Sequence, residues 1–248
     1  MDLEAQEPTS NRIGGYMAGL ITHMVVIREM LKLLPAGSIA NHGLFYLGSL
    51  APDAVHAREG YIRAYKKHTH FRDDIPDCDF ENPKNYVKYQ KRLVDFIVEN
   101  NHREDELFDL YLGYVVHILV DELFITSVRK EFCITMEELG IAQQDQEFFD
   151  RILKDMNRND LLLTKNYEGM KEIQKELEQA IVYPIKDYIG TPELEISRKW
   201  LLSHHFYEKQ ELMQPVYISY QRMLDFIQIA AKEIIYRLSG NGVLPRML

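Results

Sequence analysis

The stretch Tyr111-Leu112-Gly113-Tyr114-Val115-Val116-His117-Ile118-Leu119-Val120-Asp121-Glu122-Leu123-Phe124-Ile125-Thr126 decides how this chain reads. It is a largely apolar run of helical length, and His117 and Asp121 interrupt it. Residues four apart on a helix point the same way, so this imidazole and this carboxylate can share one metal ion. Burying a carboxylate is costly unless it is paired or metal-bound. An isolated pair of this kind is more often a core histidine bonded to a buried aspartate. Three further ligand types upstream, His23, Asp53 and His70, shift the balance toward a metal-dependent hydrolase.

Length and composition fit one all-α domain. The chain has 248 residues and is 46% hydrophobic, enough for a substantial core. Its formal net charge of -9 argues against a basic nucleic-acid-binding surface. It leaves phosphate esters open, because a metal can supply local positive charge. Cys78 and Cys133 fit no zinc-ribbon spacing, so a reduced, intracellular protein is expected. The acidic start Met1-Asp2-Leu3-Glu4 lacks the basic region of a signal peptide. The apolar stretch Ile13 to Ile27 is too short and too polar to span a membrane. A cytoplasmic location follows as the expectation.

Residues 1–12 read as a flexible leader, and 13–248 as a single all-α metal-binding domain. Leu20, His23, Ile27, Met30 and Leu34 recur at helical spacing and predict a helix from about Gly19 to Leu34, with His23 on its apolar stripe. A second helix is predicted from Ser38 to Ser49, leaving Asp53 in a loop. Ala54 to Pro83 reads as a long, partly ordered loop, a kind of segment that is often functional. Further helices are predicted over Pro83 to Asn100, Glu104 to Phe132, Gln143 to Met156, Tyr167 to Tyr183, Pro192 to Met213 and Pro215 to Leu238. Thr191-Pro192-Glu193 carries helix-start signals, and Ser239-Gly240-Asn241-Gly242 closes the last helix. No strand alternation or repeat stands out.

A further pair, His204 and Glu208, is again four apart, with Trp200 one turn earlier. It reads equally well as an exposed i,i+4 contact. His56, His68 and His205 are possible substitutes for a ligand, whereas His42 and His102 have no supporting partner. Taken alone, His23 reads as a core histidine, Asp53 as a turn or cap residue and His70 as a surface-loop histidine.

In order and type these residues resemble the zinc-dependent phospholipase C family, which is related to the single-strand-specific fungal nucleases. The matching elements are His23 in Ile21-Thr22-His23, Asp53 in Gly48-Ser49-Leu50-Ala51-Pro52-Asp53, His70-Phe71, and His117 with Asp121. Gly113-Tyr114-Val115-Val116-His117 is also similar to the family's G-Y-x-x-H. The resemblance spans about Gly19 to Phe124. Two departures stand out. The secreted members use an N-terminal tryptophan as ligand, whereas the only tryptophan here is Trp200. The family also places a histidine shortly after the H-x-x-x-D aspartate, where this chain has Phe124-Ile125-Thr126-Ser127.

The resemblance implies an irregular multi-helix bundle of the phospholipase C and nuclease type. It implies zinc held by Asp53, His70, His117 and Asp121, with Asp121 bridging to a second ion that His23 helps to bind. His204 and Glu208 would complete that second site or bind another ion. The implied activity is a phosphodiesterase, a phosphoric ester hydrolase acting on a small phosphate ester or lipid headgroup through metal-activated water. Asp53 and Asp121 are the catalytic candidates, Arg72 a phosphate contact, and Asp73 or Asp74, beside His70, a group that orients a ligand imidazole or acts as base. A phosphohydrolase of the HD type is disfavoured, since no His-Asp dipeptide occurs. The remaining alternative is a non-catalytic helical protein with a structural or degenerate metal site, whose acidic helices between Met136 and Tyr183 would suit a partner surface.

Overall fold

The computed structural model describes residues 18–244 apart from 77, 78 and 103; the expected leader at 1–12 and Cys78 lie outside the described residues. Helix α5 (Phe108–Thr126) is buried on nearly every face and forms the axis of the packing. Its principal partner is α2 (His42–Ala54), which is also largely apolar and buried. The two helices meet backbone to backbone. A Cβ on Gly48 would lie 2.0 Å from the Leu110 carbonyl oxygen, and one on Gly113 would lie 2.1 Å from that of Phe45. Gly113 thus makes room for a neighbouring helix.

Other elements cover this pair. Helix α1 (Leu20–Leu33) packs between α2, α7 (Gln146–Asn166) and α10 (Tyr220–Gly240). Helices α8 (Met170–Gln179) and α9 (Thr191–Leu202) lie against α2, while α4 (Pro83–Asn100) and α6 (Val128–Glu138) lie against α5. Among the described residues there is no strand, only an isolated bridge between Ile185 and Ile189. The all-α expectation therefore holds.

Several boundaries differ from the sequence expectation, each for a local reason. Helix α2 runs on through Pro52 to Ala54, so Asp53 sits in its last turn and not in a loop. The expected loop after it contains a 3-10 turn (Val55–Ala57) and a short helix, α3 (Arg63–Thr69). The single helix expected over Glu104 to Phe132 breaks at Ser127, where the Thr126 hydroxyl donates to the Glu122 carbonyl (2.9 Å) and the Ser127 hydroxyl to that of Leu123 (2.5 Å). Such bonds compete with helix continuation. Helix α7 extends past Met156 because buried Asn159 and Asp160 replace apolar residues on its inward face and bond neighbouring segments. Helix α9 passes into a π turn (Ser203–Tyr207), and α10 starts after Ser219, because Asp155 holds the Val216, Tyr217 and Ile218 amides in a non-helical path.

Candidate metal centre

Five of the sequence-selected residues converge. His23 comes from the first turn of α1, Asp53 from the last turn of α2, His70 from the residue after α3, and His117 and Asp121 from the middle of α5. His23, His117 and Asp121 are completely buried, and His70 is nearly so. Two overlapping groups could hold an ion: His23, His117 and Asp121, and Asp53, His70 and His117, with ligand atoms all within 4.8 Å of one another in each group.

Hydrogen bonds aim the imidazoles inward. The Nδ1 of His117 lies 2.6 Å from the Ser49 carbonyl, a bond set up by the close α2–α5 approach. The Nδ1 of His70 lies 2.8 Å from the Lys66 carbonyl, one helical turn back on α3. In the neutral rings each Nδ1–H donates to its carbonyl and each Nε2 presents a lone pair to the centre. Those two Nε2 atoms are 3.3 Å apart. The Tyr114 hydroxyl donates to the Thr69 carbonyl at 2.5 Å, and Arg92 donates to the Phe71 carbonyl at 3.2 Å. Both bonds hold the turn that follows His70, in which Phe71 adopts φ 58.

The spacings suit zinc. Tetrahedral ligands at about 2.1 Å from an ion stand about 3.4 Å from one another. The His70 and His117 Nε2 atoms each lie 3.4 Å from Asp121 Oδ2, and His70 Nε2 lies 3.5 Å from Asp53 Oδ1. The other Asp121 oxygen faces His23: Oδ1 is 3.3 Å from His23 Nε2 and accepts from the Ala18 amide at 3.2 Å. The His23 ring stacks on His117 at 3.9 Å, and among the described residues neither of its nitrogens, nor Asp121 Oδ2, has a hydrogen-bond partner. Buried lone pairs facing one another without donors are what a bound cation satisfies.

Burial lowers the basicity of His23, with neighbouring His117 adding to the effect, and pushes His70 down to about 4. Burial alone would raise the Asp121 carboxyl, but the surrounding His117, His23 and His70 hold it well below the usual range. Asp53 is likewise held low against burial, chiefly by Lys66. His23 and His70 thus favour the neutral form and the two carboxylates the ionised form, the states in which such groups ligate metal.

The remaining candidates lie elsewhere. His204 and Glu208 pair with each other at 3.4 Å, with side chains 34% and 50% exposed, so they form an outward-facing pair of their own. Asp73 pairs with His68 at 2.9 Å and does not orient His70; the Lys66 carbonyl does. Arg72, expected as a phosphate contact, is buried, with its guanidinium 4.4 Å over the Phe80 ring. Two residues at the centre were not chosen from sequence as its core. Lys66 places Nζ 2.6 Å from Asp53 Oδ1, and His56 Nε2 lies 3.8 Å from the same oxygen. Their signals are spacings of four from His70 and three from Asp53, within a segment that reads as loop.

The family model described as zinc dependent phospholipase C matches residues 22–123. This span includes Asp53, His70, His117 and Asp121, and begins one residue before His23. Neither a curated protein nor a solved structure shows a significant match. Among the described residues no helix is long and apolar enough to cross a membrane.

Proposed function

We propose that this chain is a zinc-dependent phosphoric ester hydrolase, resembling phospholipase C in the chemistry of its centre. The observation that carries the reading is Asp121, whose two oxygens face separate histidine sets at 3.3–3.4 Å. Asp53, His70, His117 and Asp121 would hold one ion, and His23 with Asp121 would help to hold a second. Zinc, when bound, supplies Lewis-acid polarisation of a phosphoryl oxygen and acidifies water toward a pKa of about 7.

The protein's own groups do the rest. The Ser49 and Lys66 carbonyls fix the rings of His117 and His70, so little reorganisation accompanies binding. The helices around α5 exclude water from His23, His117 and Asp121, which strengthens electrostatic interactions there. Asp53 has the most exposed side chain of the five, at 13%. It is therefore the carboxylate placed to orient an attacking water by accepting its hydrogen bond. In the net reaction the water oxygen bonds to phosphorus, the ester P–O bond breaks, and the leaving oxygen takes up a proton. Substrates would be small phosphate esters or lipid headgroups. The buried free thiol of Cys133 suits a reduced, cytoplasmic setting.

Elemental mass spectrometry on untagged protein, purified without chelator, tests the metal. Two zinc equivalents per chain, with hydrolysis of a chromogenic phosphodiester, are expected. Asp121→Asn is expected to lose both. Retained zinc and activity in that variant would remove Asp121 from the centre. A single equivalent without activity would favour a closed structural site.

A further inference from the structure

Lys66 is an unusual neighbour for a metal centre. It lies on α3 with its side chain only 5% exposed, and its ammonium rests 2.6 Å from Asp53 Oδ1. Long cationic side chains are rarely buried unless paired. The contact is close, yet among the described residues Asp53 Oδ1 has no aligned hydrogen bond. The same oxygen lies 3.5 Å from His70 Nε2, the distance expected between two ligands of one zinc. Lys66 and an ion would therefore compete for one carboxylate oxygen. Next to it sits His56, with a side chain 9% exposed and, among the described residues, no hydrogen bond on either ring nitrogen. This polar lobe borders the most exposed of the ligands.

We propose that Lys66 is an exchangeable internal cation: it neutralises Asp53 in the metal-free protein and, when zinc takes Asp53, turns to grip an oxygen of a bound phosphate. The proposal rests on the zinc hydrolase reading above. Three consequences follow. The Asp53 half of the centre loads metal less readily than the half held by His23 and Asp121, because like charges must approach. The metal-free site avoids leaving the Asp53 carboxylate buried and unpaired. The loaded site gains a second phosphate-binding charge from the chain itself, on the side of the centre nearest solvent.

The backbone of Lys66 has a separate duty. Its carbonyl orients His70, and substitution of the side chain leaves that bond in place. Side-chain variants therefore test the ammonium alone.

Chelator-competition titration of zinc, followed by calorimetric titration of inorganic phosphate into the zinc-loaded protein, separates the outcomes. Lys66→Met is expected to bind its weaker zinc at least about tenfold more tightly, because a positive charge has left the vicinity of a dication. Its phosphate affinity is expected to fall about tenfold with the loss of a charge-assisted contact. Lys66→Arg keeps the charge and is expected to stay close to wild type in zinc affinity. Lys66→Gln serves as a second neutral variant, so a folding defect in one does not decide the result. Unchanged or weaker zinc binding in the neutral variants, or unchanged phosphate affinity, overturns the proposal. A wild type that takes up no zinc, beside a Lys66→Met variant that does, would defeat the hydrolase reading while upholding the exchange at Asp53. Absence of zinc from both would overturn both.

Discussion

His70 is kept neutral by where it sits, and that has a measurable consequence. An imidazole in the unfolded chain titrates near 6.5. Burial pushes His70 down to about 4 and His56 and His205 to about 3. Between those values the unfolded chain binds more protons than the folded one, so these residues stabilise the protein fully above pH 6.5 and less as pH falls toward 4. For His70 the loss is on the order of 3 kcal/mol. Asp160 works in the opposite sense, since burial raises its carboxyl to about 6, but one carboxyl opposes four histidines, His23 being lowered by burial as well. The urea midpoint of the metal-free protein is expected to be lower at pH 4.5 than at pH 7. An equal or higher midpoint at pH 4.5 would show that these rings are not held neutral. At this scale the sequence was informative about His23, His117 and Asp121, because a polar residue on an apolar helix face stands out. It was silent on Lys66, because a lysine in a mixed polar segment looks solvated until α3 turns it inward. His204 and Glu208 repeat the i,i+4 spacing without the apolar surroundings, and they form an exposed pair.

At the scale of elements, the centre depends on how closely α2 and α5 approach. Gly48 and Gly113 permit contact between the backbones, and the Ser49 carbonyl next to Gly48 then reaches His117. Gly48→Ala or Gly113→Ala would drive a methyl group into a facing carbonyl. Neither side of that contact is a flexible side chain, so one helix must shift. Each variant is expected to be destabilised by roughly 3 kcal/mol or more, as overpacking in a rigid core allows little relief. Because Asp53 ends α2 while His117 and Asp121 lie on α5, the same variants are expected to hold less zinc. Thermal denaturation with parallel zinc analysis would check this, and a wild-type midpoint in either variant would contradict the packing. The strong apolar runs made α1 and α5 readable in outline. Asp53 was misplaced into a loop because Pro52 suggests a break, although α2 continues through it. The end of α7 and the start of α10 were missed because buried Asp155, Asn159 and Asp160 satisfy backbone and side-chain groups of distant segments, which no local pattern reveals.

Across the whole molecule, the candidate ligands come from α1, α2, the end of α3 and α5, so one centre ties together segments from residue 23 to residue 121. The unfolded chain cannot present this set in one place, and zinc should therefore bind the folded state selectively. At a free zinc concentration of about a thousand times the dissociation constant, such binding adds about 4 kcal/mol of stability. For a chain of this size each kcal/mol moves the thermal midpoint by about 2–4 °C. Zinc is thus expected to raise the midpoint by roughly 8–16 °C, and a chelator in excess to reverse the change. The comparison also distinguishes a centre from a surface pair. Ions held only by His204 and Glu208, which sit together on one exposed turn, would shift the midpoint little, because they would join nothing distant. His117→Ala is expected to abolish most of the zinc-dependent rise, whereas Glu208→Ala is expected to preserve it. The reverse ranking would move the metal away from α5 and with it the proposed chemistry.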